Sequence, residues 1–306
     1  MFYHTDFSLD LFRHWTSILI EQNYLQDGDL MESYTDFALV YDTFMDETPY
    51  GEWAAFIHEL IDEYGISKPC LKALSNENLG DNLLQEKNLV VELGCGTGNF
   101  TAEMSKLGYD MIGIDNSSSM LNIAMQKKEK DSIPAFYLEQ DMRDFELFGT
   151  AGTFVSVCDS VNYLTDREDI VKMMKLVNNY LFPDGIFIFD FNTVHKYRDV
   201  IGDTTIAEDR EDCAFIWDNF FDEETNINEY DLTIFVQEEG DSYRRFFETH
   251  YQRGYTLEEM LSMLEESGLA FLKAIDADTH NDADESSERI YIIARKDTDS
   301  NMQMDV

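Results

Sequence analysis

The spacing of hydrophobic residues changes character at about residue 88. Upstream, the stretch SYTDFALVYDTFMDETPYGEWAAFIHELIDEYG (33–65) repeats apolar residues at helical spacing and is interrupted by Pro49 and Gly51, which predicts two helices joined by a turn. Downstream, short apolar runs alternate with amphipathic segments: NLVVEL, YDMIGID, AFYLEQD, TFVSVCD and GIFIFDF. Runs of this length predict strands, and segments such as LNIAMQKKEK and REDIVKMMKLVNNYLF predict helices. Strands that alternate with helices indicate an α/β protein with a mostly parallel sheet covered on both faces.

A second pattern follows residue 204. The segments CAFIWDNFF, INEYDLTIFVQ and SYRRFFETHY are strand-sized and separated by the turn-rich stretches DEETN and EEGD, which predicts three strands of an antiparallel β-meander. In its middle strand Tyr230, Leu232, Ile234 and Val236 share one face, so one side of the meander should be buried. The chain then predicts a helix at TLEEMLSMLEESG with a threonine N-cap, and two final strands at FLKAID and RIYIIAR.

Composition removes several classes of partner. The 306 residues, of which 44% are hydrophobic, suffice for one sizeable core with an insertion. The 62 acidic and 22 basic side chains give a formal net charge of −40, so we expect neither nucleic acid nor an anionic membrane surface as a partner. The four cysteines lie far apart and form no zinc-binding pattern: Cys70, Cys95, Cys158 and Cys213. Because the N-terminus lacks the basic start of a signal peptide and no apolar stretch is long enough for a bilayer, we expect a soluble, cytoplasmic protein without a metal site.

The run NLVVELGCGTGNF (88–100) carries the most specific chemical signal, because three glycines follow a predicted strand at alternate positions. A dinucleotide-binding turn uses GxGxxG, and its third glycine would fall where this chain has Asn99. Glu92, two residues before Gly94, is an unfavourable neighbour for a pyrophosphate and a favourable one for a cation. Gly94 and Gly96 let the backbone pass close beneath a ligand. The spacing favours a sulfonium nucleoside over a dinucleotide.

This motif resembles the first motif of the class I S-adenosylmethionine-dependent methyltransferases, an acidic residue followed by GxGxG, and further segments match in order and spacing over about residues 33–296. The resemblance implies a Rossmann-like sheet of seven strands, S-adenosylmethionine as cofactor and S-adenosylhomocysteine as its product. We expect five parts: an N-terminal lead-in with lid helices (1–65), the cofactor-binding α/β core (66–204), an inserted antiparallel subdomain (205–253), the C-terminal part of the core (254–296) and a flexible tail (297–306). Within the lead-in, SLDLFRHWTSILIEQN predicts a helix with no assigned chemistry.

Two acidic residues at predicted strand ends are expected to bind the nucleoside. Asp115 ends the second apolar run, where a carboxylate can accept hydrogen bonds from both ribose hydroxyls; alternatively, Asp115 or a following serine caps the next helix. The resemblance implies that Asp141 accepts a hydrogen bond from the adenine amino group and that Met142 meets the ring. Asp141 could instead be an ordinary loop residue beside Arg143.

The other expected contacts lie after the fourth strand and in the lid. Cys158 and Asp159 end the run FVSVCD and are expected to border the methionine part or the methyl group; no base accompanies Cys158 in sequence, so a buried thiol is favoured over a nucleophile. The pattern YxxFAxxYDxFM…PYxxW resembles the lid helices of small-molecule methyltransferases, with Tyr41 and Trp53 as contacts, although the spacing also fits any buried helix face. The predicted cofactor-binding residues are Tyr41, Trp53, Glu92, Gly94, Cys95, Gly96, Gly98, Asp115, Asn116, Met120, Asp141, Met142, Cys158 and Asp159.

Transfer of a methyl group from a sulfonium needs in-line approach and exclusion of water more than an acid or base, so the absence of a triad or metal motif is expected. If the acceptor must lose a proton, the candidate bases are His195, His250 and Tyr163. Three arginines of the meander either clamp an anionic acceptor or, as we favour, pair with nearby acids: Arg244, Arg245 and Arg253. The sequence predicts a methyltransferase for a small-molecule acceptor, monomeric or homodimeric. A non-catalytic binder of the same cofactor and an NAD-dependent oxidoreductase are the alternatives.

Overall fold

The computed structural model describes residues 35–70, 82–238 and 240–296. Its helices are α1 (Thr35–Phe44), α2 (Tyr50–Tyr64), α3 (Asn82–Asn88), α4 (Asn99–Lys106), α5 (Ser118–Asp131), α6 (Arg167–Tyr180) and α7 (Leu257–Ser267). Its strands are β1 (Leu89–Leu93), β2 (Asp110–Asp115), β3 (Ala135–Glu139), β4 (Ala151–Ser156), β5 (Leu181–Asn192), β6 (Thr205–Asp209), β7 (Cys213–Asp222), β8 (Ile227–Gln237), β9 (Tyr243–Arg253), β10 (Leu269–Asp276) and β11 (Arg289–Lys296). Three features predicted from the sequence lie outside the described residues: the lead-in helix, the first tyrosine of the lid pattern (Tyr34) and the tail.

The main sheet has seven strands in the order β10-β11-β5-β4-β1-β2-β3. Strands β1 to β5 run parallel, whereas β11 pairs antiparallel with both β5 and β10. The predicted Rossmann-like, mostly parallel sheet of seven strands is therefore confirmed. The chain crosses over between β1 and β4, which are neighbours in the sheet, and open α/β sheets bind ligands at the carboxyl ends of strands at such a switch point.

Helices cover both faces of this sheet because its central strands are apolar on both sides. All five residues of β1 are buried: Val91 packs on one face with Met174 of α6 and Met260 of α7, and Val90 packs on the other with Ile57 of α2. Successive side chains of a strand point to opposite faces, so a continuous apolar run fits only a strand that is covered twice. This packing fixes the carboxyl end of β1, where the glycines begin.

The second sheet is antiparallel, in the order β6-β7-β8-β9, and we call it the meander. Of the face predicted to be buried, Tyr230, Leu232 and Ile234 are buried and Val236 is half-buried; Val40 of α1 packs against Leu232 and Ile234. The short strand β6 (TIAED) was not foreseen as a strand, because it is mostly exposed and carries no apolar alternation. At the base of the meander, Thr193 and Tyr255 form an isolated β-bridge beside the main sheet.

Residues 35–65 form two helices separated at Pro49, as the pattern of this segment predicts. Phe44 of α1 contacts Phe215 of β7 edge to face, with 4.8 Å between ring centroids, so α1 lies against the meander. The predicted Thr256 N-cap of α7 is present as a full capping box with Glu259. Among the described residues, no helix combines the length and the apolar character needed to span a bilayer.

Candidate active site

A tight loop carries the chain from β1 into α4, and its three glycines have positive φ angles: 74° at Gly94, 52° at Gly96 and 76° at Gly98. Side chains rarely adopt this left-handed conformation, which explains the residue type. The glycines differ in what surrounds them. A Cβ at Gly94 would collide with Ser160, whereas a Cβ at Gly96 would meet nothing within 4 Å. Gly96 therefore faces open space, so a ligand can lie close against its backbone.

That open space belongs to a cavity of about 600 Å³ at the carboxyl ends of β1, β2, β3 and β4. Most of the predicted cofactor-binding residues line it: Tyr41, Glu92, Gly94, Cys95, Gly96, Asp115, Asn116, Met120, Asp141, Met142, Cys158 and Asp159. The opposite wall comes from the meander and includes Trp217, Tyr230 and His250. Gly98 and Trp53 are not among the lining residues that the structure describes. The topology thus brings motifs that are distant in sequence to one edge of the sheet.

Asp115 is held rigidly at this edge. Its two carboxylate oxygens accept hydrogen bonds from the backbone N–H groups of Gly96, at 2.7 Å, and Ser117, at 2.8 Å. Burial raises the pKa of Asp115, and these hydrogen bonds oppose the rise. The N-cap of α5 is Ser117, whose Oγ accepts from the Met120 N–H, so Asp115 is not needed as a cap. A fixed carboxylate next to the glycine loop suits a ribose diol.

Asp141 is paired with Arg143. The Arg143 Nη2 atom lies 2.6 Å from Asp141 Oδ2, and its Nη1 atom donates to Asp169 Oδ2 at 2.8 Å. This pairing holds the pKa of Asp141 below its ordinary value. Asp141 therefore pairs with Arg143, as the alternative prediction of a loop residue expects. Asp141, Met142 and Arg143 nevertheless all line the cavity. Arg143 orients the carboxylate for which the family resemblance implies a contact with adenine.

The floor of the cavity is the turn after β4, and its backbone is strained. Cys158 and Asp159 have φ angles of 63° and 52°, a conformation that costs energy for residues with a side chain. Their N–H groups both donate to the buried carboxylate of Asp190, at 3.0 and 2.7 Å. Arg289 forms an ion pair with Asp190. Neither Asp190 nor Arg289 was predicted to serve the site.

Burial determines the chemistry of the floor. It raises the pKa of the Cys158 thiol to about 12, so this group is a thiol and not a thiolate near neutral pH. Burial also raises the pKa of Asp159, whose Oδ2 atom accepts a hydrogen bond of 2.6 Å from Gln252 of β9. The protonated thiol agrees with the expectation that Cys158 is no nucleophile. The Gln252 contact ties the meander to the floor.

Trp53 lies behind the floor. Its ring packs over the guanidinium of Arg289, with the Arg289 Cζ atom 4.6 Å from the ring centroid, and Tyr50 meets it edge to face at 5.6 Å. Trp53 therefore stacks on a protein cation, while the sequence assigned it to the cofactor. Tyr41 and Tyr50 line the cavity, and burial raises the pKa of Tyr41 well above that of a free phenol.

Asn99, where a dinucleotide fold would have glycine, has a structural role. Its Nδ2 atom donates to Asp42 Oδ1 of α1 at 3.0 Å, and its Oδ1 atom accepts from Lys127 of α5 at 2.6 Å. Lys127 also pairs with Asp42 at 2.5 Å, and Thr97 donates to Asp42 at 2.7 Å. We call this group of four residues the latch, because it fastens α1 to the glycine loop.

The three candidate bases separate in space. His195 is bonded to Asp199 at 2.9 Å and is not among the described residues that line the cavity. His250 and Tyr163 line it together. Of the meander arginines, Arg244 and Arg253 pair with Glu238 and Glu259, each at 3.3 Å, which supports the ion-pair interpretation over an acceptor clamp.

Comparison with known proteins identifies the family of the chain. A family model described as a methyltransferase domain matches residues 90–185. YqeM of Bacillus subtilis (strain 168), whose methyltransferase name is provisional, is 34% identical over 266 residues, covering 86% of this chain and 97% of YqeM. A solved S-adenosylmethionine-dependent methyltransferase from Clostridium acetobutylicum ATCC 824 has a TM-score of 0.71 and 26% identity, covering 86% of this chain and 98% of that one. The sugar N-methyltransferase KedS8 from Streptoalloteichus sp ATCC 53650 shares the fold, with a TM-score of 0.63 and 14% identity over 88% of this chain and 96% of KedS8.

The fold, the glycine loop and the acidic residues at the strand ends define a nucleoside-binding α/β enzyme. The chain belongs to the class I S-adenosylmethionine-dependent methyltransferases. Its cofactor is S-adenosylmethionine, as the glycine spacing predicts, and the dinucleotide alternative is set aside.

Proposed function

We propose that this methyltransferase acts on a small-molecule acceptor, which binds between the floor and the meander. One observation carries the proposal: a single cavity is lined on one side by the cofactor motifs and on the other by the inner face of the meander. Its volume of about 600 Å³ falls within the range of pockets that enclose small ligands. The net charge of −40 opposes a nucleic acid as the acceptor.

The lining residues divide by chemistry. Asp115 would hold the ribose, Asp141 and Met142 the adenine, and the glycine loop the methionine part. Because burial raises the pKa of Glu92 to about 8, Glu92 would take part there as a protonated hydrogen-bonding group and not as a counter-ion. S-adenosylmethionine supplies an electrophilic methyl group together with its own leaving group. The protein then has to orient an acceptor in line and exclude water, which α1 and the meander would do by covering the cavity.

The acceptors of similar proteins give limited support. KedS8 is described as a sugar N-methyltransferase, so this fold accommodates a small acceptor in that protein. At 14% identity the likeness shows the fold alone, and the acceptor of this chain is argued from its own cavity.

The test combines binding with transfer. We expect calorimetric titration to show saturable binding of S-adenosylmethionine and S-adenosylhomocysteine, no binding of NAD, and weakening of at least about tenfold by Asp115→Ala. The matched control is Asp144→Ala, since Asp144 follows β3 at the same edge but is exposed.

The protein is then incubated with tritiated S-adenosylmethionine and cell extract. The extract is separated afterwards into small molecules, protein and nucleic acid, and the label in each fraction is counted. We expect label in the fraction of small molecules and none in protein or nucleic acid. Label in a macromolecule would contradict the small-molecule acceptor. Binding without transfer to any fraction would favour a non-catalytic cofactor-binding protein instead.

A further inference from the structure

The wall of the cavity opposite the glycine loop is built by the register of the meander. Trp217 pairs with Leu232, and Leu232 with Glu248, across three adjacent strands. At the next position on the same face, two residues away, Tyr230 pairs with His250. Residues that pair directly share a face of the sheet, so these side chains point together toward the cavity that they line.

The side chains of this wall contact one another closely. The Tyr230 and His250 rings are stacked, 4.9 Å apart and 13° from parallel, and Trp217 lies 4.9 Å from Tyr230. The Tyr163 and Tyr230 hydroxyl oxygens are 2.7 Å apart, and His250 Nε2 lies 3.2 Å from Glu248 Oε2. The wall therefore presents aromatic faces beside one carboxylate and one imidazole.

The charge of the cavity has a strong bias. Among the described residues that line it, five carry carboxyl groups: Glu92, Asp115, Asp141, Asp159 and Glu248. Arg143 is the only lysine or arginine in the same set, and it is held by two aspartates. Glu92 is protonated near neutral pH because burial raises its pKa to about 8, so the negative charge comes from the remaining carboxyl groups. A carboxylate or phosphate on the acceptor would find repulsion from them and no lysine or arginine partner. A protonated amine would find attraction from Glu248 and from the aromatic faces.

We propose that the acceptor is a small primary or secondary amine whose nitrogen is held against Trp217 and Tyr230 by Glu248. This inference rests on the proposed transfer to a small molecule in the same cavity. The amine arrives as an ammonium ion and passes one proton to the Glu248 and His250 pair, which frees its lone pair. That lone pair forms the new N–C bond while the S–C bond breaks, and the positive charge moves from sulfur to nitrogen. The products are a methylated ammonium and a neutral thioether.

An alcohol acceptor fits this wall less well. Alkoxide formation needs a strong base. Tyr230 cannot act as one near neutral pH, because burial raises its pKa well above the ordinary value and keeps the phenol protonated. A cationic amine instead uses every group of the wall: the carboxylate as counter-ion, the aromatic faces as cation–π partners and the imidazole as a proton acceptor.

The first experiment starts from labelled product. The full chain is incubated with tritiated S-adenosylmethionine and a deproteinised small-molecule extract of the source cells. A parallel extract is first treated with N-hydroxysuccinimidyl acetate, which acetylates primary and secondary amines, and is then quenched.

We expect label in a product retained by a cation exchanger, and a loss of label of at least about tenfold after acetylation. Label that survives acetylation, or that enters an anionic product, overturns the amine assignment and leaves the proposed small-molecule transfer intact. Absence of label from both extracts contradicts the transfer itself.

A second arm tests the residue. With the unlabelled amine fraction of the untreated extract as substrate, we expect Glu248→Gln to raise KM about tenfold while calorimetric affinity for S-adenosylhomocysteine stays within about twofold. The matched control is Glu229→Gln, because Glu229 lies on the opposite face of the same sheet, paired with Phe220 and Tyr251. An unchanged KM in Glu248→Gln would overturn the role of Glu248 as the counter-ion of the amine.

Discussion

The carboxylate of Asp42 on α1 accepts a hydrogen bond of 2.7 Å from the Thr97 Oγ1 atom in the glycine loop. Asn99 and Lys127 complete the latch around the same carboxylate. One side chain of α1 thus fixes a covering helix to the loop that the cofactor approaches. Loss of this carboxylate leaves three donors on the core without their shared acceptor.

We therefore expect Asp42→Ala to weaken S-adenosylhomocysteine binding about tenfold, because the closed position of α1 becomes less populated and apparent affinity falls with that population. Calorimetric titration measures the change. The control is Glu52→Ala on the exposed side of α2, which should bind within about twofold of the parent protein. Unchanged affinity in Asp42→Ala would show that the latch does not control access to the cavity.

Gly96 and Gly240 form a matched pair for testing the cavity. Both have positive φ, 52° and 73°, and a Cβ at either would meet no atom within 4 Å. Alanine at each should cost about 1 kcal/mol of stability through backbone strain. Only Gly96→Ala should also abolish cofactor binding, because its methyl group enters the cavity. Urea denaturation and titration of both variants measure these two effects, and equal binding by the two would contradict the placement of the ligand over Gly96.

The buried pair of Asp190 and Arg289 should matter far more than an exposed one. In Asp190→Asn, Arg289 loses its counter-ion and the Cys158–Asp159 turn loses one of two acceptors. We expect the free energy of unfolding to fall by about 3–5 kcal/mol. Asp282→Asn, which removes an exposed pair with Lys273, should cost less than about 1 kcal/mol. Equal losses in urea denaturation would contradict a special role for the buried pair.

Glu92 should make stability depend on pH. Burial raises its pKa to about 8 from an ordinary value of 4.5, so between these values the folded chain keeps a proton that the unfolded chain has lost. The contribution of this group is fully present below pH 4.5 and is lost as the pH rises toward 8. Glu92→Gln should therefore be stabilised relative to the parent protein at pH 8 by on the order of 3 kcal/mol more than at pH 5. Urea denaturation at both pH values measures this change. A stability difference between Glu92→Gln and the parent protein that is the same at pH 5 and pH 8 would contradict a raised pKa of Glu92.

Much of the fold and the cofactor side of the cavity could be predicted from local patterns. The run 89–93 is apolar at every position but Glu92 because β1 is covered on both faces, and Asp115 stands at the end of a similar run. Parallel strands place their carboxyl ends at one edge, so motifs that each end a strand meet there without any further information.

The residues that hold the walls of that cavity in place could not be predicted, because their roles depend on contacts between residues far apart in the sequence. Asp190 and Arg289 are 99 positions apart and meet only when β5 and β11 pair. Trp53 is one aromatic residue in an amphipathic helix, and its sequence does not reveal that the cation beneath it is a protein guanidinium. Asn99 was noted as a missing glycine, while its partners Asp42 and Lys127 come from two other helices.

The β-bridge between Thr193 and Tyr255 has a consequence for how such enzymes diversify. It joins the two ends of the excursion that carries the meander, and the entropic cost of closing a loop grows only slowly with its length. The excursion can therefore be lengthened, trimmed or exchanged during evolution while the pairing of β5 with β11 in the main sheet stays unchanged. The main sheet can thus keep the residues that bind the cofactor while the meander changes to fit another acceptor.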